Sequence, residues 1–368
     1  MKVLVVHNRY RLAGGEERAI ELQLEAFERA GIEHAALVRD SAELTRVRAA
    51  RSMLRGGDGE QLVADAAAGA DVVHFHNINP LFGPRALAAA RAAGARVVLH
   101  LHNFRLFCSI AVAFRDGAPC VRCRRGLTLP GLALNCRGSL PESAVYTTAL
   151  AAHLRAVLRN VDRFVTLSGY AAGQLVRLGV PAERLGIVPN YLPERWVAGR
   201  SSADAGRYAL IAGRLAPEKG IATAIDACTL AGVPLKVAGD GPLRAELERR
   251  GGKFLGAVSA EQVRALYDGA AIVLVPSLGG EVMPFAALEA MGRGVPVVAS
   301  RSGSLPEVVG PERCVPRGDT GALARVLGEL WNDPNRRRRD GDALIARVRD
   351  RFGERRYVSE LLSAYAAA

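Results

Sequence analysis

Glu281 and Glu289 lie eight positions apart in Ser277-Leu-Gly-Gly-Glu-Val-Met-Pro-Phe-Ala-Ala-Leu-Glu-Ala-Met-Gly-Arg-Gly-Val-Pro296, and their context fixes where each carboxylate stands. Residues 271–276 (AIVLVP) form a short apolar, β-branched run that reads as a buried strand, and Gly279-Gly280 breaks it. Glu281 is therefore predicted in a loop. Pro284 suits the first turn of a helix running to about Gly292, with Val295 to Ala299 as the next strand, so Glu289 falls inside that helix. A strand, a glycine turn and a helix start make the place where open α/β sheets hold anions, because unpaired N–H groups and the helix dipole face the loop. A carboxylate beside such a place is suited to hydroxyls rather than to phosphate. The pattern points to a ligand with phosphate and sugar parts.

Other residues could serve the same ligand. In Gly213-Arg-Leu-Ala-Pro-Glu-Lys-Gly220, Arg214 and Lys219 flank a predicted helix start, where two fixed cations would complement a diphosphate. The alternative is an ordinary turn carrying exposed charges. Val237 to Arg244 is a second glycine turn, and Lys253 to Ser259, with Val258, supplies a strand end whose backbone could read a base edge. Asp340-Gly-Asp342 has the form of a metal-assisting Asp-x-Asp, but it follows an arginine run in a helical region. We therefore expect no catalytic divalent metal.

Cys108, Cys120, Cys123 and Cys136 fall in one segment, about 104–140, that is rich in Gly, Pro and Arg. Cys120-Val-Arg-Cys123 is a C-x2-C pair. Structural zinc on the four thiolates is one reading, with paired disulfides and unligated thiols as the others. Cys228 and Cys314 read as buried thiols.

These groups need a scaffold. Strands at Val3 to Val6, Ala35 to Val38, Asp71 to Phe75, Arg96 to His100 and Arg163 to Leu167 alternate with Ala-rich helices, the first running from Glu16 to about Ala30. A second series opens at Tyr208 to Ala212 and continues at Leu235 to Ala238, Lys253 to Leu255, Ile272 to Val275 and Val295 to Ala299. That rhythm predicts two parallel-sheet halves, residues 1–190 and 191–368, joined by an aperiodic linker near 191–206. The site is expected in the cleft between them, at the carboxyl ends of the strands. Tyr357, Leu361, Leu362 and Tyr365 predict a final amphipathic helix that packs on its own half or crosses back to the first.

Composition agrees with an α/β enzyme: 49% hydrophobic residues and 39 glycines in 368. No apolar run approaches the roughly 20 residues of a membrane span, and the N-terminal apolar stretch is too short for a signal peptide, so a cytoplasmic protein is expected. The net charge of +12 is carried mostly by arginine, and Arg336 to Arg339 reads as a solvated face. Such charge suits nucleic acid, anionic lipid or phosphorylated substrates, with composition bias, since arginine and alanine dominate together, as the other reading; aromatic residues do not interleave with it, which argues against nucleic acid.

Together, Gly213 to Gly220, Val237 to Arg244, Phe254 to Ser259, the Glu281 to Glu289 pair, Gly303 to Glu307, Ser168, Pro189-Asn190 and the Gly14-Gly15 loop resemble the retaining glycosyltransferases of family 4, which have the GT-B fold. The resemblance implies two Rossmann-like domains facing each other across a cleft, with a nucleotide-sugar donor, UDP- or GDP-linked, held mainly by the second. The acceptor, a saccharide, a lipid-linked saccharide or a small metabolite, would be held by the first, with peripheral membrane association one outcome. Carried over by position, Arg214 and Lys219 would contact the diphosphate, Glu289 the ribose, and Glu281 the hydroxyls of the transferred sugar. Met283, Pro284 and Phe285 would meet the phosphates or the sugar, and Gly15 would let a first-half loop approach the diphosphate. His102 in His100-Leu-His-Asn103 matches a position near the reacting sugar, or is a structural histidine, while His74 and His76 would support the cleft. The family often places Gly-Phe directly after the first glutamate, whereas Val282-Met283 stand here. Rival readings are a GT-B epimerase or phosphorylase, and a basic nucleic-acid-binding protein on the same scaffold.

Overall fold

The structure, a computed structural model, describes residues 1–10 and 14–368. Strands β1 (Lys2–Arg9), β2 (Glu33–Asp40), β3 (Val72–Phe75), β4 (Arg96–Leu101), β7 (Arg163–Thr166) and β8 (Leu185–Ile187) form a parallel sheet in the order β2-β1-β3-β4-β7-β8. Between β4 and β7 runs a two-stranded antiparallel hairpin, β5 (Phe114–Arg115) and β6 (Ala118–Pro119). A second parallel sheet holds β9 (Ala209–Ala212), β10 (Leu235–Ala238), β11 (Lys253–Gly256), β12 (Ile272–Val275), β13 (Val297–Ser300) and β14 (Cys314–Val315), in the order β11-β10-β9-β12-β13-β14. Each sheet reverses its strand order once, next to β1 in the first and next to β9 in the second. Such reversals open the crevice where α/β proteins hold ligands.

The central strands are largely apolar runs because helices cover both faces of each sheet. In the second sheet Ile211, Val237, Ile272 and Leu274 are buried together with Ile221 and Ile225 of the helix Ile221–Ala231 and Leu323 and Leu327 of the helix Thr320–Trp331. Burying each such side chain is worth about 1.5–3 kcal/mol.

Residues 1–113, 120–189 and 357–368 make one compact unit, and residues 114–119 and 190–356 the other. The helix Glu354–Ala366 thus belongs, from Tyr357 onward, to the first unit. Its Tyr365 hydroxyl lies 2.6 Å from His74 Nδ1, and Arg96 Nη1 donates to the Tyr365 carbonyl at 2.9 Å.

Three features depart from the sequence reading. The short edge strands β8 and β14 carry too few residues to show a period. Residues 191–206 are no loose linker: Tyr191, Leu192, Trp196 and Ala203 are buried, Leu192 N–H donates to Phe352 O, and Ser201 N–H donates to Asp342 Oδ1 at 2.7 Å. The arginine run is not wholly solvated. Arg337 is buried and its guanidinium donates to the carbonyls of Ala203, Asp204, Leu330 and Trp331, because the helix Pro334–Arg351 packs that face inward.

Candidate functional site

In the second unit, the loops that follow β9 and β12 meet where the strand order reverses. Backbone bonds stitch them together: Leu278 N–H and Gly279 N–H both donate to Glu218 O, at 2.8 and 2.9 Å. Gly220 makes the approach possible, since its φ is +63° and a Cβ there would stand 2.2 Å from the Pro276 carbonyl oxygen. The loop after β13 closes on the same place. Ser304 N–H donates to Glu281 O at 2.8 Å, and a Cβ on Gly303 (φ +59°) would lie 2.3 Å from both the N and the O of Glu281.

This frame fixes Glu281. Its Oε1 accepts from Lys219 Nζ at 2.7 Å and from Ser277 Oγ at 2.5 Å. Arg214 is exposed and pairs with Glu218, whose carbonyl takes part in the stitching. Met283 is buried and held from the segment that precedes the second sheet: Asn190 N–H points at its Sδ at 3.1 Å and Asn190 Nδ2 donates to its carbonyl at 3.3 Å. Asn190 therefore belongs with the second unit's loops, not with the first half where the motif reading put it. Pro284 caps the helix Phe285–Gly292, so the positive end of that helix dipole faces the Glu281 loop. Glu289 lies one turn into the helix, half-buried, and its Oε2 accepts from the Tyr267 hydroxyl at 3.2 Å. Burial and the Glu289 carboxylate hold that phenol protonated. Val258 is in the loop after β11, before a helix that Ser259 caps.

The structure thus joins Lys219 and Glu281 directly and sets Arg214, Met283, Pro284, Phe285 and Glu289 on the loops and helix around them. Neither Ser277 nor Tyr267 was given a role in the sequence reading. Ser277 follows a strand end and could have been weighed as a hydroxyl donor; Tyr267 lies in an unremarkable helix.

In the first unit, Gly14 and Gly15 open the helix Gly15–Ala30, and Glu17 closes the turn by accepting from Gly14 N–H at 2.8 Å and Tyr10 N–H at 3.0 Å. The rest of that loop, 11–13, lies outside the described residues. A cleft at the start of that helix is lined by Tyr10, Glu16, His76, Asn77, His102 and Arg105, among others. Glu16 Oε2 accepts from the Tyr10 hydroxyl at 2.9 Å and from Asn103 Nδ2 at 3.2 Å. Burial raises its carboxyl to about 7, only partly opposed by His7, the Tyr10 hydroxyl and Arg105.

His102 does not stand alone. Residues two apart along extended chain face the same way, so His74 of β3 and His100 of β4, with His76 and His102 just past the ends of those strands, form a layer of imidazoles. His74 and His76 stack at 4.5 Å between ring centroids, His100 and His102 at 4.2 Å, and His76 Nδ1 lies 2.8 Å from His102 Nε2. Burial drives the pKa of His74 down to about 3 and those of His76, His100 and His102 well below their ordinary value, so all four are neutral near pH 7. Among the described residues, His74 Nε2, His76 Nε2 and both nitrogens of His100 have no hydrogen-bond partner. Each buried N–H left unmet costs about 1–3 kcal/mol. The repeated His-x-His at two neighbouring strand ends was legible, but the role given to His74 and His76 as mere support did not anticipate a shared layer.

The four cysteines of segment 104–140 are half-buried, and none forms a disulfide. The thiols of Cys108, Cys136 and Cys120 lie near enough to Cys123 to add, after burial, to the upward shift of its own thiol, so the segment gathers the four. Each sits on a separate turn held by its own backbone bonds: Cys108 N–H to Phe104 O, Cys120 N–H to Ala113 O, Cys136 N–H to Gly131 O, and Cys123 before the turn closed between Arg124 and Leu127. The Asp-x-Asp is structural as well, since Asp342 binds the Ser201 backbone from within a helix.

Comparison with known proteins follows the division into units. Residues 3–191 match the family described as glycosyl transferase 4-like domain, and residues 206–333 that described as glycosyl transferases group 1. The chain is similar to the MMP alpha-(1->4)-mannosyltransferase of Mycolicibacterium hassiacum, 29% identical over 229 residues that cover 58% of this chain and 56% of that one. It spans about half the length of the curated relatives it matches. In fold it resembles sucrose-phosphate synthase from Thermosynechococcus elongatus (TM-score 0.72, 18% identity, 100% and 98% of the two chains). It also resembles Anabaena HepE in complex with UDP and glucose (TM-score 0.68, 17% identity, 100% of both). The two parallel-sheet units and the loops at their strand ends are those of the GT-B fold, and the chain belongs to the group 1, family 4, glycosyltransferases.

Proposed function

We propose that this chain is a retaining glycosyltransferase that moves a sugar from a UDP- or GDP-linked donor to a hydroxyl acceptor without a catalytic divalent metal. The observation that carries the reading is the contact of Lys219 and Glu281 at the strand-order reversal of the second sheet, beside the start of the helix Phe285–Gly292. Arg214 and Lys219 bring two cations to a place suited to a diphosphate, and the helix dipole adds to their field. Glu289 is set for the ribose hydroxyls and Glu281 for those of the transferred sugar. Val258 stands on the loop suited to the base.

In the reaction the bond from the sugar's anomeric carbon to the phosphate oxygen breaks and its electron pair leaves on the diphosphate, where Arg214 and Lys219 stabilise it. The acceptor oxygen bonds to the same face of that carbon and its proton passes to the departing phosphate oxygen. His102 of the first unit orients the sugar or acceptor. The acceptor class, a saccharide, a lipid-linked saccharide or a small metabolite, and work at a cytoplasmic membrane face belong to the same proposal.

The experiment is a thermal-shift screen against UDP-, GDP- and ADP-sugars, followed by transfer assays with the donor that binds, with and without EDTA. Proton NMR of the product should show the donor's anomeric configuration kept. Inversion, or activity abolished by EDTA and restored by Mg²⁺, overturns the corresponding part.

A further inference from the structure

We propose that His74, His76 and His100 of the first unit bind a single borderline divalent transition-metal ion of the zinc class, as an all-imidazole site. One ligand atom from each lies within 4.8 Å of the other two, and all three side chains are buried. The open valences match what a ligated ion needs. His74 Nδ1 lies 2.6 Å from the Tyr365 hydroxyl, which can accept its proton, and His76 Nδ1 lies 2.8 Å from His102 Nε2, which leaves Nε2 of each without a partner. A metal-bound imidazole characteristically engages its second nitrogen in this way, and the outer partner sets tautomer and ring orientation. His100 offers either nitrogen. Imidazole ligands select zinc, copper, nickel and cobalt over magnesium or calcium.

The rings of His74 and His100 are stacked, 10° from parallel, as are those of His76 and His100, at 23°. Their lone pairs do not yet converge, so binding turns chiefly the His100 ring about Cβ–Cγ, since His74 and His76 are held through Nδ1. Unpartnered nitrogens oppose that turn with no hydrogen bond. His76 and His100 also line the cleft that holds His102, which gives an ion a way in. Once His76 Nε2 holds the ion, its Nδ1 must carry the proton and donate to His102 Nε2. The ion thereby fixes His102 as the tautomer protonated on Nδ1, and it takes no part in neutralising a diphosphate.

The test is titration of the full chain with Co²⁺, read by visible absorption, and with Zn²⁺, read by calorimetry. The same titrations are run on the double variant Cys120→Ser/Cys123→Ser. One equivalent bound in both proteins, with ligand-field bands and no thiolate charge-transfer band, is the expected result. His100→Gln should weaken binding by more than about a hundredfold, beyond what loss of an outer partner costs. If that variant does not fold, Cu²⁺ electron paramagnetic resonance of the unaltered chain decides, with nitrogen hyperfine structure expected. Absence of binding, a thiolate signature, or loss of the ion in the cysteine variant overturns the proposal.

Discussion

Lys219 and Glu281, sixty-two residues apart in sequence, meet at 2.7 Å where the second sheet reverses its strand order. The pair is partly exposed, at 30% and 13% of the side-chain surface, so its own worth to folding is about 0–1 kcal/mol. Its position beside the start of the helix Phe285–Gly292 gives it another use. Lys219→Ala should leave the melting temperature nearly unchanged and lower transfer turnover by about 10²–10³, the loss expected when one preorganised donor to a developing charge is removed. Steady-state kinetics beside calorimetry of nucleotide binding checks this; a variant with full turnover sinks the diphosphate assignment.

Gly303 predicts a different kind of loss. A methyl group there collides with the Glu281 backbone, and φ of +59° disfavours any other residue. Gly303→Ala should destabilise the second unit by about 1–3 kcal/mol and weaken donor binding, because the loop that carries Glu281 must move. Urea unfolding and donor titration read the two effects separately.

Glu16 makes stability depend on pH. Folding raises its carboxyl from 4.5 to about 7, so the native state holds a proton that the unfolded chain releases. Stability from this group is full below about 4.5 and is lost as pH rises towards 7, a loss of about 2–3 kcal/mol. Glu16→Gln stays neutral and keeps the acceptor for the Tyr10 hydroxyl. Its urea midpoint, relative to the parent chain, should rise between pH 5 and pH 8; an unchanged difference would count against a buried neutral acid.

Arg337 should behave as a structural residue despite its charge. Arg337→Met removes the donor to four backbone carbonyls, and the expected cost is about 2–4 kcal/mol in urea unfolding, with donor affinity unchanged. A loss smaller than about 1 kcal/mol would show that solvent replaces those bonds.

Arg337 also shows where sequence reading stops. The central strands and the glycine turns declared themselves because a strand buried on both faces must be a continuous apolar run, and a tight strand-to-helix turn must contain glycine. Lys219 and Glu281 were both named from their local motifs, yet their contact depends on Gly220 and Gly303 bringing two distant loops within bonding reach. Arg337 sits in a run of four arginines that differ only in which way the helix turns them. The histidine layer hid for a related reason: each His-x-His is ordinary alone, and only strand pairing stacks one on the other.

The Tyr365 contact with His74 bears on how the chain comes to be folded. Residues 190–356 are, in topological terms, an insertion within the first unit, whose last piece is synthesised only after the second unit is finished. On the ribosome the first sheet therefore waits, with Gln23, His74 and Arg96 unclosed, until a segment about 260–340 residues downstream emerges to complete it. The second unit has no such debt and can fold as it leaves the tunnel. Assembly order is thus opposite to the order of synthesis.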